Sequence, residues 1–330
     1  PGYKAITGLL PHHYASLNKP MVPGRGFDWS AYAVLLGVGL VCAVLALALF
    51  ERRDLGAPFR LRVQGARVRQ RTGGSLALLS SPFARALRDL LGPTLAWTTA
   101  LGVYVLMIEA MTNEILEPIQ AITRTPLGQL LGPLNSSMAL LQVMVLTSVV
   151  LLLAGFAVTQ VATWTADEEA GRFELVLSTP QRRMGLLLAR FAAVAVASTG
   201  LVAGLGGAFW LGGRLFNVTL DLGKLWAGMV GLVPLILLIV AAGWALAAAL
   251  RRPAAAVPIV GGVLITMYIF DLLAPLFKPP TWVLQLSIFY HYGRPFLEGI
   301  SGAGMTTLIV GTGLLLGLAL WGFSRRDIVK

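Results

Sequence analysis

Seven stretches of this chain, near 29–50, 94–111, 138–162, 186–211, 225–250, 254–277 and 306–323, are apolar over 18 residues or more. At about 1.5 Å of rise per residue, a helix of that length crosses about 30 Å of hydrocarbon. Backbone groups in lipid must find partners within a helix or around a closed barrel, and none of these runs alternates like a barrel strand. Each is therefore predicted to be a helix. With 56% hydrophobic residues and a mean hydropathy of +0.76, the chain does not have the composition of a soluble domain. The expected fold class is an all-α polytopic membrane protein with about seven transmembrane helices.

The connecting segments divide by charge. Segments 51–93, 164–190, 251–253 and 324–330 hold 18 of the 26 lysines and arginines; the alternate segments 1–28, 112–137, 212–224 and 278–305 hold the rest. Basic residues are retained on the cytoplasmic side, so the first set is assigned there. The net charge of +11 is then a topology signal, not a nucleic-acid one. Cys42 is the single cysteine and lies inside an apolar run, which leaves no disulfide framework and no cysteine-based metal site. The chain opens on Pro1 without the charged start and short apolar core of a signal peptide, and it is expected to lack the beginning of a longer natural sequence.

A repeat organises the spans. Phe50-Glu51-Arg52-Arg53-Asp54-Leu55 follows the first span, and Phe323-Ser324-Arg325-Arg326-Asp327-Ile328 follows the seventh, about 273 residues later. Before each span stands a related aromatic-histidine segment, Leu10-Pro11-His12-His13-Tyr14 in one copy and Ile288-Phe289-Tyr290-His291-Tyr292 in the other. Six spans separate the two endings, which reads as a tandem of six-span domains. Residues 1–56 are then the outer segment and last helix of a first domain. Residues 57–92 are a cytoplasmic basic linker followed by an interfacial amphipathic helix, with Leu76, Leu79, Phe83, Leu87 and Leu90 on one face of 75–91. Residues 93–330 are a complete second domain.

Between the third and fourth spans lies a charged island, 164–183, in a chain that is only 12% charged. Thr165 and Glu168 have the spacing of a capping box, and Asp167, Glu168 and Glu169 suit an electropositive helix start. Ala166, Ala170, Phe173 and Leu177 share a face, and Thr179-Pro180 ends the pattern. A short two-faced helix is expected. By periodicity alone it either packs on the lipid surface and neighbouring spans or docks into a groove on a cytoplasmic partner.

The run Asp167-Glu168-Glu169-Ala170-Gly171-Arg172-Phe173-Glu174-Leu175-Val176-Leu177-Ser178-Thr179-Pro180 resembles the E-x-G-x-x-E-x-L-L-S-x-P loop of ABC-2 type exporter permeases, with Val176 replacing one leucine. The closing F-x-R-R-D is similar to the ending of that family. The doubled domain most resembles the bacterial polyketide antibiotic, tetronasin-like or multidrug exporter permeases with two fused six-helix halves. The resemblance implies one complete six-helix ABC-2 (type V exporter-like) domain plus the last helix of a preceding one. It implies a coupling helix at 164–180 seated in an ABC nucleotide-binding (ATPase) subunit, two copies of which would serve the two halves. Carried onto this chain, the coupling positions are Glu168, Glu169, Gly171, Arg172, Glu174, Leu177 and Pro180, followed by Arg182 and Arg183. Arg52, Arg53, Asp54, Arg325, Arg326 and Asp327 would mark cytoplasmic helix ends in a bacterial inner membrane. No cofactor is expected on this chain, since no G-x-x-x-x-G-K-[ST] occurs in it; ATP and Mg would sit on the partner. The chain is thus expected to be a transport subunit and not an enzyme, moving an amphipathic or lipophilic antibiotic, drug or lipid outward from the cytoplasm or inner leaflet.

Glu109 and Asp271, near the outer ends of their spans, are either solvated or paired with Lys278 or Arg124, or they form an outer gate or a recognition point for cationic drugs. His291 and Tyr292 join that outer set as an aromatic interfacial belt and not a metal site. Arg190 is expected to snorkel inward. Gly200 and Gly204, and Gly313 and Gly317, have the spacing of close helix contacts. An ion-coupled secondary transporter is the competing function and would call for acids at membrane depth. An intramembrane enzyme would need a nucleophile and base that are not visible.

Overall fold

A computed structural model of the chain describes residues 14, 28–51, 81–123, 136–171, 183–277 and 279–325, with side chains of 45–51, 113–123, 275 and 276 left aside. The chain divides into two compact units, Pro1–Thr72 and Gly73–Lys330. Every extended element among the described residues is helical.

The first unit contains α1, Trp29–Glu51. Asp28 caps it: its Oδ1 accepts from the backbone N–H of Ser30 at 3.0 Å and of Ala31 at 3.1 Å, and from the Ser30 hydroxyl at 2.6 Å. These bonds, the Ser30 hydroxyl first among them, hold the Asp28 carboxyl below its ordinary value. The helix carries no charged residue before Glu51, and its Trp29–Val44 stretch is apolar.

In the second unit six helices are long and apolar enough to cross a membrane. They are contained in α2 (Pro82–Thr123), α3 (Ser137–Glu169), α4 (Arg183–Leu215), α5 (Leu222–Ala249), α6 (Ala256–Phe277, entered through a 3₁₀ turn Pro253–Ala255) and α10 (Gly302–Arg325). Between α6 and α10 lie three short helices: α7 (Thr281–Leu284), α8 (Ile288–Tyr292) and α9 (Pro295–Glu298). The α5 helix is central, touching α3, α4, α6 and α10, while α2 runs along α4. Small residues permit that second seam: a Cβ on Gly204 would stand 2.5 Å from Thr98 Cγ2. Gly200, Gly313 and Gly317 face open space, so only one of the four glycines singled out from spacing is used for close approach.

Two expectations are corrected. The amphipathic stretch before the second span is not a separate interfacial helix where it is described, because α2 starts at Pro82 and runs unbroken through Gly92 and Pro93. Ser81 caps it, its Oγ accepting from Ala84 N–H at 3.1 Å, with Pro82 at the first helical position. The apolar face turns toward protein: Ala86 and Leu90 are buried, with Phe83 and Leu87 packed beside them. Nor does Thr165 begin a helix. It lies within α3, is buried, and donates its hydroxyl to the carbonyl of Ala162 at 3.1 Å. Helical bonding continues because Trp164 and Thr165 still face the bundle, so packing overrides the capping signal.

Candidate functional site

Chemistry-bearing side chains gather at the two ends of the second unit. At one end α3 terminates after Glu169. Ala170 donates to the Ala166 carbonyl and Gly171 to that of Glu168, and Gly171 adopts φ +66°, the left-handed turn that glycine supplies at a helix end. Gly171 is therefore the helix terminator of the charged island. Glu169 Oε1 accepts from the backbone N–H of Ala254 at 3.3 Å, in the turn that opens α6. One turn back, the Trp164 ring lies 4.8 Å from Trp244 of α5 and 5.5 Å from Phe323 of α10, and Phe191 of α4 is 5.9 Å from Trp244. Arg190 of α4 interacts electrostatically with Asp167 of α3 and Asp89 of α2. Six spans are thus tied together beside the island. Glu168 is half-buried near the end of α3, and Arg183 opens α4. Arg325 closes α10 with its guanidinium 4.5 Å over the Trp321 ring. Arg172, Glu174, Leu177, Pro180 and Arg182 lie outside the described residues, as do Arg52, Arg53, Asp54, Arg326 and Asp327. Of the segment 164–180, the part through Glu169 belongs to α3.

At the other end α7, α8 and α9 fold over the helix ends, with Gly293 (φ +74°) and Gly299 (φ +80°) at the breaks. Each is pinned. The Tyr292 hydroxyl donates to the Gly228 carbonyl of α5 at 3.1 Å, and Lys224 Nζ donates to the Leu297 carbonyl at 3.0 Å. Gln142 Oε1 accepts from the backbone N–H of Phe296 at 3.0 Å. Gln142 begins a π-helical turn, Gln142–Leu146, inside α3. Thr147 closes that turn by donating its hydroxyl to the Gln142 carbonyl at 2.9 Å, and the Tyr104 hydroxyl donates to the Met144 carbonyl at 3.2 Å. Such turns commonly mark functional positions.

Two cavities open here. The larger, about 1000 Å³, is lined among others by Asp271, Phe289, Tyr290, His291, Arg294 and Glu298. The smaller, about 320 Å³, reaches Gln142, Thr147, Tyr268 and Tyr292. Asp271, Phe289, Gly293 and Arg294 line both. His291 Nε2 lies 2.8 Å from the Gln285 carbonyl, so that nitrogen carries the hydrogen.

Of the outer set read from sequence, Asp271, His291 and Tyr292 are brought together and Glu109 is not. Asp271 has Arg294 as its charged neighbour; Lys278 and Arg124 lie outside the described residues. Tyr292 is buried in the protein, 3% exposed, and is not part of an interfacial belt; burial pushes its phenol well above the ordinary value. Glu109 is fully buried and is not solvated, and neither carboxyl oxygen has a hydrogen-bond partner among the described residues. It occupies space left by Gly212 of α4, where a Cβ would meet its Oε2. Sequence reasoning missed Arg294, Glu298, Gln142 and Tyr268. Gln142 alone carried a signal, as a polar residue inside an apolar span.

Six apolar helices with a polar chamber at one end and the charged end of α3 at the other define a multi-pass membrane protein. Residues 79–324 match the family described as the multidrug efflux system permease Rv1217c, C-terminal domain, and the chain belongs to that family. It is 26% identical over 328 residues to the multidrug efflux system permease protein Rv1217c of Mycobacterium tuberculosis, across 93% of this chain and 55% of the relative. The chain thus spans about half the length of the curated relative it matches. The ABC-2 type resemblance read from the loop is borne out by these matches.

Proposed function

We propose that this chain is the permease portion of an ATP-driven exporter that moves an amphipathic or lipophilic compound, an antibiotic, drug or lipid, out of the cytoplasm or inner leaflet of a bacterial inner membrane. The island end faces the cytoplasm, and 164–180 engages a nucleotide-binding subunit, one copy for each permease half. ATP and Mg are bound by that partner, and the other permease half belongs to the same natural chain. The observation that carries the reading is the junction at the island: Trp164 and Glu169 connect the loop motif to α5, α6 and α10. A push on the island therefore reaches several spans at once. The test is co-purification of the full natural permease with candidate ATPase subunits, with ATP hydrolysis as the readout. Retention of an ATPase and its loss in Glu169→Arg plus Glu174→Arg are expected; retention unaffected by the double variant sinks the docking reading.

One observation favours a second reading, an ion-coupled transporter. Glu109 is a buried acid among spans, the usual station for a carried proton. Export that persists with a hydrolysis-dead ATPase partner and stops when the proton gradient is collapsed would select it.

A further inference from the structure

We propose that the paired cavities under α7, α8 and α9 form a binding site for an organic cation with an aromatic or apolar body, with Asp271 as its counter-charge. The inference rests on the efflux reading above and adds the chemical class that the chamber recognises.

Size, walls and charge converge on this class. A space of about 1000 Å³ is at the upper end of cavities that hold a drug-sized molecule. Aromatic rings stand on the wall: Tyr268 and Phe289 meet edge to face with centroids 5.9 Å apart, and Tyr290 lines the larger cavity. Ring faces attract an organic cation and also pack its apolar body.

The sign of the charge is decided by depth. In the larger cavity Asp271 and Glu298 are negative and Arg294 is positive, so its wall is negative on balance, while in the smaller Asp271 and Arg294 offset each other. Asp271 is half-buried on α6, whereas Arg294, which also lines both cavities, and Glu298, which lines the larger, are exposed. A charge set back from water acts across a lower effective dielectric, and exposed charges are weakened by solvent and salt. The carboxylate therefore dominates the field felt by a molecule lodged where the cavities meet. A cation gains there, an anion is repelled by the deep group, and a neutral compound is indifferent to it.

The experiment is equilibrium binding of tetraphenylphosphonium to the full natural permease with its partner subunit in nanodiscs. Triphenylphosphine oxide serves as the neutral counterpart. Asp271→Asn is expected to weaken phosphonium binding about tenfold and to leave the oxide unchanged. Asp271→Glu is expected to restore most of it, and Arg294→Gln to tighten phosphonium binding a few-fold by removing the opposing charge. A merely structural role for this wall would make both neutralising variants weaken both ligands. That result, unchanged binding in Asp271→Asn, or no phosphonium binding by a wild-type complex that keeps its ATPase, overturns the proposal. Asp271-dependent phosphonium binding by a permease that retains no ATPase would instead keep the site and overturn the ATP-driven reading.

Discussion

The Glu169 carboxylate accepts a hydrogen bond from the Ala254 backbone N–H at 3.3 Å and so joins the end of α3 to the entrance of α6. Ala254 carries the first N–H of the turn Pro253–Ala255, since Pro253 has none, and the carboxylate gives it an acceptor while meeting the positive end of the helix dipole. Glu169→Ala should lower the stability of the purified permease by about 1 kcal/mol. Glu169→Gln, which keeps an acceptor oxygen, should lose less. Thermal unfolding in detergent checks the order. If Ala and Gln are equally destabilising, the hydrogen bond is not what the site contributes.

Glu109 and Gly212 make a second pair whose value depends on both members. A Cβ on Gly212 would meet Glu109 Oε2 and stand 3.1 Å from Leu106 Cδ2, so Gly212→Ala should overpack the α2–α4 seam at about 1–3 kcal/mol. Shortening the acid, as Glu109→Ala, should relieve the clash, making the double variant less destabilised than the sum of the two. An unsatisfied buried polar group costs about 1–3 kcal/mol, so Glu109→Met should raise the melting temperature. A melting temperature that falls in Glu109→Met would mean that the carboxyl has a stabilising partner.

The long apolar runs were legible because hydrophobic length is a local property: the span expected at 186–211 lies within α4, and that expected at 225–250 matches α5 to within one residue at its end. Their ends were less so. Thr165 and Glu168 satisfy the capping-box spacing, yet Trp164 packs on Trp244 and Phe323, residues 80 and more positions away, and this contact keeps α3 helical. The chamber under α7, α8 and α9 was half legible. Asp271 and His291 are conspicuous as polar groups in or beside apolar sequence, but their meeting with Arg294 and Gln142 depends on how α8 and α9 fold back, which turns on glycine conformations at Gly293 and Gly299. Glu109 was conspicuous too, and only packing could show that it faces Gly212 and not water.

Gln142 holds the backbone of α9 to the π turn of α3 through Phe296 N–H, and both residues are buried. Gln142→Leu would leave that N–H without an acceptor at an expected cost of about 1–3 kcal/mol. Gln142→Glu retains an oxygen in place and, when ionised, a stronger acceptor, but it adds a buried charge whose desolvation opposes the gain. The expected order of stability is wild type, then Glu, then Leu. Hydrogen exchange at 296–298 should rise in the Leu variant well above the rest of the chain; uniform exchange would show that α9 is held by other contacts.

Tyr292 supplies a pH signature. Its hydroxyl donates to the Gly228 carbonyl, and the ring is 3% exposed. Burial raises the phenol above its ordinary value of 10.0, so the folded protein binds this proton more tightly than the unfolded chain does. The sign follows from linkage: the contribution is fully present below about pH 10 and declines as pH rises toward the folded value, because only the unfolded chain then releases the proton. The slope attributable to this one group cannot exceed about 1.4 kcal/mol per pH unit. Tyr292→Phe should cost about 1 kcal/mol at neutral pH through the lost hydrogen bond. It should also flatten the loss of stability above pH 10. Melting temperatures of the two proteins between pH 7 and 11 test this, with the gap between them expected to narrow as pH rises; a gap that stays constant or widens would show that the phenol ionises as readily in the folded protein as in the unfolded chain.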